Sequence, residues 1–134
     1  MTLDTYIRAQ MARFAIKEGA EYGGVNNMLA VAHVLRNRVF AGWGDWLEVV
    51  SLAHKKRANI YTPPMPNIRS SNVRILLNRI EDIYTRADVN DLSGGAVFYA
   101  DLGRPLASWF EQEVLKRPED HPRVSHVGPV FFFK

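Results

Sequence analysis

The sequence contains no cysteine among its 134 residues. This absence excludes a disulfide framework, a thiolate metal site and a cysteine nucleophile, and it leaves the redox compartment open. A zinc site without cysteine is disfavoured as well, because the four histidines form no His-Glu-x-x-His motif and no close ligand pair with a carboxylate at helical spacing. We therefore expect neither a metal nor a cofactor.

Long apolar runs are also missing. No run approaches the roughly 20 residues that a membrane helix needs, and the first residues show no basic segment followed by an apolar one. The sequence therefore predicts a soluble chain, made in the cytoplasm without a signal peptide and without membrane insertion.

Two common catalytic motifs are absent too. There is no Gly-x-Ser-x-Gly elbow, and the pairs Gly23-Gly24 and Gly94-Gly95 lack the lysine of a phosphate-binding loop. Charge of one sign is not in large excess either: the net charge is +3, with acids and bases interspersed, which favours an anionic partner only modestly.

What is present is mainly helical periodicity in a chain long enough for one domain, residues 1–134. Apolar residues recur from Leu3 to Phe14 at intervals of four, four and three, which predicts a helix from about Leu3 to Glu18 with Gly19 as its stop. The segment from Met28 to Leu35 is apolar on every face except at His33. We therefore expect it to form a buried central helix, capped by Asn26 or Asn27.

Two more helices are predicted further along. Asp45 and Glu48 form a capping box that opens a helix from Trp46 to about Ala53. Ser70 or Ser71 is expected to cap a fourth helix, whose apolar stripe is Val73, Leu76, Leu77, Ile80, Ile83 and Tyr84. The intervening stretch from His54 to Arg69 contains three prolines and is too long and broken for an ordinary connector.

Short strands are predicted near the end of the chain. Ala96 to Tyr99 and Pro129 to Phe133 read as strands, and Pro105 is expected to open a helix that continues to Leu115. The predicted class is α+β, mostly helical, with a small two- or three-stranded antiparallel β element.

Three blocks, taken in order, resemble one family. The run Ala30-Val31-Ala32-His33-Val34-Leu35-Arg36-Asn37-Arg38 is similar to its Ala-Val-Ala-x-Val-x-x-Asn-Arg helix. Gly95 to Tyr99, with Pro105 and Trp109 further on, is similar to its Gly-Ala-x-x-Phe strand followed by a proline and a tryptophan. Gly128 to Phe132 is similar to its closing Gly-x-x-x-Phe strand. The family is that of cell-wall hydrolases related to bacterial spore cortex-lytic enzymes, which also occur in phages. The resemblance covers about Ala12 to Phe133. It implies a lysozyme-like domain that cleaves peptidoglycan between N-acetylmuramic acid and N-acetylglucosamine.

The resemblance also implies a catalytic acid. Glu18-Gly19-Ala20-Glu21 stands where the family has Glu-Ala-x-Gly-Glu, so Glu18 matches the acid and Glu21 is a register-shifted rival. Val130 stands where the family usually has a histidine, although His126 lies nearby. Independently of the family, a carboxyl that ends an amphipathic helix has its pKa raised by the helix dipole and by apolar surroundings. A protonated carboxyl is what a general acid needs.

Four further residues are expected to bind the glycan: Glu21, Asn37, Tyr61 and Tyr99. Tyr61 lies in the broken loop, whereas the three tryptophans are more typical of a core. Asn37 fits a structural role equally well, and Arg38 fits a pairing with an acid.

Several alternatives remain open at this point. Hydrolysis needs a second carboxylate, for which Glu21, Glu48 and Asp101 are candidates, whereas lytic transglycosylation needs one acid only. A catalytically inactive binding or structural module of a phage or secretion apparatus is the second hypothesis. Nucleic-acid binding through Lys55, Lys56, Arg57 and Arg69 with Tyr61 is the third, although this patch has few bases. For the first hypothesis, we expect a holin, a virion or a secretion machine to deliver the chain to the wall.

Overall fold

The computed structural model describes residues 1–22, 24–52, 57–59, 69–86 and 89–134. Its helical body consists of α1 (Leu3–Gly19), α2 (Asn26–Phe40), α3 (Trp46–Leu52) and α4 (Ser70–Thr85), and a 3₁₀ turn (Ala20–Tyr22) follows α1. The strands are β1 (Phe98–Asp101), β2 (Arg123–Val127) and β3 (Val130–Phe133). Between β1 and β2, the short α5 (Ser108–Phe110) continues as a π-helical stretch (Glu111–Leu115). The α+β class is confirmed.

The sheet is antiparallel with the order β1-β3-β2, so β3 occupies its centre. Phe98 faces Phe133 across the β1–β3 pair, and Asp101 faces Val130. The two predicted strands correspond to β1 and β3 and are confirmed, although β1 begins at Phe98 rather than Ala96. The sequence did not predict β2, whose side chains are only partly buried or exposed.

α2 is the axis of the core, as predicted, because its residues 27–36 are all buried. One of its faces packs against α1, α3 and α4, where Phe14, Leu35 and Leu76 are fully covered. Ala30 and Val34 pack against the sheet in a second cluster, which contains Ala96, Val130 and Phe132. The sheet therefore rests directly on the central helix.

The other side of the sheet has its own apolar cover. Ala100 and Phe133 pack against Phe110 and Val114 of the segment that follows β1. Successive side chains of β3 thus point to opposite faces, with Phe132 toward α2 and Phe133 toward α5. The sheet is covered on both faces, which fixes its register against the helical body.

Two of the predicted caps are wrong. α2 already includes Asn26 and Asn27 and makes no side-chain cap, and α4 begins at Ser70 itself, after Arg69. Asn27 is buried, and neither of its side-chain polar atoms has a hydrogen-bond partner in the described part of the chain. Packing of this end of α2 against α1 has therefore overridden local capping chemistry.

The other helix predictions are largely confirmed. The capping box before α3 forms, since the Glu48 amide donates to Asp45 Oδ1 at 2.9 Å and the Asp45 amide donates to Glu48 Oε1 at 3.3 Å. The buried stripe of α4 contains Leu76, Ile80 and Ile83, whereas Leu77 is half exposed. No helix among the described residues is long and apolar enough to cross a membrane.

Gly19 ends α1 for a reason that differs from the expected one. It is the last helical residue, and the next residue, Ala20, is still right-handed. A Cβ at Gly19 would lie 2.8 Å from the Cα and backbone nitrogen of Met28. Glycine therefore allows the end of α1 to touch the start of α2, and this contact places Glu18 beside the sheet.

Candidate active site

A cleft runs between the end of α1, strand β1 and the segment 57–59. Glu18, Arg57, Asn59 and Tyr99 line its middle. One end, here called the aromatic arm, adds Arg38, Ala58, Phe98, Trp109 and Phe110. The opposite end, the acidic arm, adds Glu21, Tyr22, Asp101 and Val130.

Glu18 is the titratable group at the centre of this cleft. Its side chain is 16% exposed, and burial raises the pKa of its carboxyl above the ordinary value. The charges of Arg57, Lys17 and Arg38 oppose that rise, and Arg57 Nη2 lies 3.4 Å from Glu18 Oε1. The direction of the shift is the one predicted from the sequence.

The wall that carries Arg57 is attached to the segment after β1. Trp109 Nε1 donates to the carbonyl oxygen of Arg57 at 3.0 Å, and the Ala107 amide donates to that of Ala58 at 2.6 Å. These contacts hold residues 106 and 107 in extended pairing, so the helix begins at Ser108 and not at Pro105 as predicted. They also fix Arg57 opposite Glu18.

β1 contributes Tyr99 to the floor of the cleft. Alternation along the strand places Tyr99 and Asp101 on the face that meets α1, where the Tyr99 ring packs edge-on against Phe14 with the centroids 6.4 Å apart. Burial, followed by the charge of Glu18, raises the pKa of Tyr99 well above its ordinary value. The phenol therefore remains neutral and can donate a hydrogen bond.

In the acidic arm, ion pairs and hydrogen bonds connect the charged side chains to one another. Arg104 pairs with Glu21 through Nη2 and with Asp101 through Nε at 3.2 Å, while the Tyr22 hydroxyl donates to Asp101 at 2.9 Å. The Gly103 amide donates to the other oxygen of Asp101 at 2.9 Å. Both acids are thus engaged by donors, and they differ in this from Glu18, whose one ion-pair contact within the described part of the chain is at 3.4 Å.

The structure does not bring Asn37 to the cleft. Its Nδ2 group donates to Asp91 Oδ2 at 2.9 Å, to Ser93 Oγ at 3.1 Å and to the carbonyl oxygen of Ala96 at 2.9 Å. These bonds tie α2 to the turn that leads into β1. The structural role left open for Asn37 is therefore the one that its contacts support.

Arg38 does lie in the cleft. Its Nε donates to the carbonyl oxygen of Val97 at 2.8 Å, and its guanidinium lies 4.8 Å from the centre of the Trp43 ring. It lines the aromatic arm beside Glu18. The expected pairing with an acid thus takes the form of a long-range attraction to Glu18, with no hydrogen bond.

The remaining site predictions have mixed outcomes. Tyr61, Lys55 and Lys56 fall outside the described residues. Val130, which stands where the family has a histidine, lines the acidic arm. His126 is exposed, and the centroid of its ring lies 5.5 Å from that of Phe131. Of the predicted site residues, Glu18, Glu21 and Tyr99 line the cleft together.

Arg57, Asn59 and Trp109 are among the cleft residues that the sequence did not assign to the site. Arg57 had been assigned to a basic patch, and its side chain instead faces Glu18. Trp109 belongs to the same family-like block as Phe98, which was the available signal for it. Nothing in the local pattern indicates Asn59, because its place depends on pairing with Leu106.

Searches with family models, among curated proteins and among solved structures found no match to this chain. Within the described ranges, no group of three or more histidine, aspartate or glutamate side chains is placed to hold a metal ion. The function therefore has to be argued from the geometry of the cleft and from the resemblance noted above.

Proposed function

We propose that this chain has a lysozyme-like fold and cleaves the glycan strands of peptidoglycan between N-acetylmuramic acid and N-acetylglucosamine. The proposal rests mainly on one observation: Glu18 is largely buried in a cleft where burial raises the pKa of its carboxyl. A raised pKa lets a carboxyl keep its proton to a higher pH, and a protonated carboxyl can protonate the oxygen of the glycosidic bond as that bond breaks. The proposal includes delivery to the wall by a holin, a virion or a secretion machine.

The state of the other carboxylates favours lytic transglycosylation over hydrolysis. A retaining hydrolase needs a second, free carboxylate, and an inverting one needs a carboxylate that activates water. Glu21 and Asp101 are instead both held by Arg104. Glu18 alone suffices if, once deprotonated, it accepts the proton of the 6-hydroxyl while that oxygen bonds to C1. The proton balance at Glu18 then closes and no water is consumed.

Arg57 and Tyr99 fit supporting roles in this reaction. Arg57 at 3.4 Å stabilises the carboxylate that Glu18 becomes after it has given up its proton. Tyr99, kept neutral by burial, is a hydrogen-bond donor to the sugar. We propose that Glu21 acts indirectly, by anchoring Arg104 at the end of the cleft.

The same ion pair supports a second candidate function. An arginine next to a carboxyl group favours its deprotonated form, which has no proton to donate, as expected of a module that binds glycan without cutting it. Under that alternative, the chain is a structural or binding component of a phage or secretion apparatus.

The decisive experiment is mass spectrometry of the fragments released from purified peptidoglycan by the wild-type chain and by Glu18→Gln. We expect anhydromuramyl fragments from the wild type and none from the variant. Glu81→Gln is the matched control, because Glu81 also lies 3.4 Å from an arginine, Arg8, but on the surface. It should cleave like the wild type.

Other outcomes would change the proposal in defined ways. Reducing ends that disappear in Glu18→Gln would mean hydrolysis, and undiminished cleavage by that variant would move the acid elsewhere, with Glu21 tested next. No fragments from either protein, together with retained binding to peptidoglycan, would favour the binding module.

A further inference from the structure

The two arms of the cleft differ in their charge. In the acidic arm, Arg104 is shared between two carboxylates. In the aromatic arm, Arg38 and Arg57 both line the space next to Glu18. Two guanidinium groups thus face a single carboxyl group on this side.

Arg38 is oriented by contacts that leave part of its guanidinium available. Its Nε bond to Val97 and its position over Trp43 fix the plane of the group. No hydrogen bond or ion pair engages its terminal Nη atoms within the part of the chain that the structure describes. A buried guanidinium held in this way is a preorganised donor for an anionic oxygen.

Arg57 completes the arrangement from the opposite wall. Its side chain is 23% exposed and contacts Glu18 only at 3.4 Å, a distance that a stronger acceptor can replace. Phe98 and Trp109 line the same arm, and their rings offer apolar surface to the sugar that carries such an acceptor.

We propose that the aromatic arm binds a carboxylate of the glycan substrate through Arg38 and Arg57, next to the glycosidic bond whose oxygen Glu18 protonates. This inference rests on the proposed function and adds to it the chemistry of the substrate. A neutral sugar chain would leave these two partly desolvated cations with Glu18 as their one anionic neighbour among the residues that the structure describes, which is costly.

Occupation of the arm would also act on the acid. If Arg57 also binds a carboxylate of the substrate, this anion offsets part of the positive charge that opposes the burial effect at Glu18. Its pKa then rises further, so the bound complex holds the protonated acid that the first step needs. The substrate would thereby help to set the charge state of its own catalyst.

A carboxylate in peptidoglycan can come from two places. One is the lactyl group of an N-acetylmuramic acid that carries no peptide, and the other is a free carboxylate of the stem peptide. In the first case, a reaction that hydrolyses the lactyl amide bond must act before this protein. The experiment below separates the two sources.

The test compares peptide-free and peptide-bearing glycan strands, each as prepared and after conversion of its carboxylates to methylamides. We expect the conversion to lower kcat/KM about 10- to 100-fold for the strand whose carboxylate is recognised, the range typical of a charge-assisted hydrogen bond. Arg57→Gln should remove this preference. Arg123→Gln is the matched control. Arg123 is an exposed residue of strand β2 that does not line the cleft, and its guanidinium lies 4.3 Å from the centre of the Phe131 ring on β3.

Equal cleavage of free and amidated strands by the wild type would overturn the inference while leaving the proposed function intact. If no strand is cleaved at all, the proposed function fails and binding then decides the inference. Calorimetry with the same fragments should show tighter binding of the carboxylate form by the wild type and not by Arg57→Gln. Equal affinities would overturn it. The test needs no Arg38 variant, which could fail to fold, because it uses only the amidation of the substrate and the Arg57→Gln variant.

Discussion

At the scale of the residue, the fold acts most directly on the charge of Glu18. Burial disfavours its carboxylate, and the guanidinium of Arg57 recovers only part of that cost, so the pKa remains raised. The folded protein therefore holds this proton more tightly than the unfolded chain does. Its contribution to stability is present below pH 4.5, the ordinary pKa, and is lost as the pH rises through the pKa of the folded state.

This sign gives a prediction for Glu18→Gln, which removes the charge but keeps the shape. At pH 7 the variant should have a higher melting temperature than the wild type, because folding of the wild type then either buries a disfavoured carboxylate or requires the uptake of a proton. The difference should shrink as the pH falls toward 4. Melting curves of both proteins from pH 4 to pH 8 measure it, with Glu81→Gln as the surface control. A variant less stable than the wild type at pH 7 would show that the ion pair outweighs burial.

At the scale of the element, the contact between α1 and α2 decides where the acid lies. The absence of a Cβ at Gly19 brings the last turn of α1 against the backbone of Met28. Glu18 is the neighbour of this glycine, so its position depends on the packing of two helices and not on a flexible loop.

We expect Gly19→Ala to lower the stability of the protein, whereas helix propensity alone predicts that it raises the stability. Propensity favours alanine in a helix by about 1 kcal/mol. The contacts at 2.8 Å involve backbone atoms, which cannot move aside cheaply, so we expect a net loss of about 1–3 kcal/mol, typical of overpacking. Urea unfolding measures this loss. Gly103→Ala, whose nearest obstacle is a side-chain oxygen of Asp101 at 3.3 Å, is the control and should cost less.

Cleavage activity of Gly19→Ala should fall together with its stability, because displacement of α1 moves the acid. A variant as stable as the wild type would mean that the two helices separate easily, and the argument from close packing would be wrong.

At the scale of the whole molecule, α2 joins the helical body to the sheet. Its buried residues belong to both clusters, and Phe132 is fully covered where the sheet meets this helix. We therefore expect one cooperative unfolding transition rather than separate melting of helices and sheet.

Phe132→Ala tests this coupling. Removal of a buried phenylalanine side chain costs about 3–5 kcal/mol. The loss should lower the urea midpoint equally for the helical signal in far-ultraviolet circular dichroism and for the aromatic signal in the near-ultraviolet. Phe131→Ala, the partly buried neighbour in the same strand, is the control and should cost less. Two separate transitions would contradict a single unit.

The sequence predicted those parts of the molecule that depend on local pattern. α1, α2 and the capping box at Asp45 follow from periodicity and spacing, and β3 follows from its run of aromatic residues. β2 could not be predicted, because its polar residues form a strand only by pairing with β3. The caps at Asn27 and Ser70 were wrong for a related reason, since helix packing decided these boundaries.

The site divides in the same way. Glu18 and Tyr99 could be chosen from their positions at a helix end and on a strand, and the resemblance pointed to Glu18 as well. Arg57 and Asn59 reach the cleft through pairing with a distant segment near Leu106, which no local pattern encodes. Asn37 shares a helix with the cleft residue Arg38, but its side chain points to the turn at Asp91.

The central place of β3 has a consequence for synthesis of the protein. Among the residues that the structure describes, β1 and β2 do not pair with each other, and each bonds only to β3, which follows both in the chain. On the ribosome, Glu18 therefore emerges early, while Tyr99 stays on a strand without a partner until residues 130–133 are available. A nascent chain would carry its acid long before it could build a cleft around it, and any activity of this cleft would begin only with the finished domain.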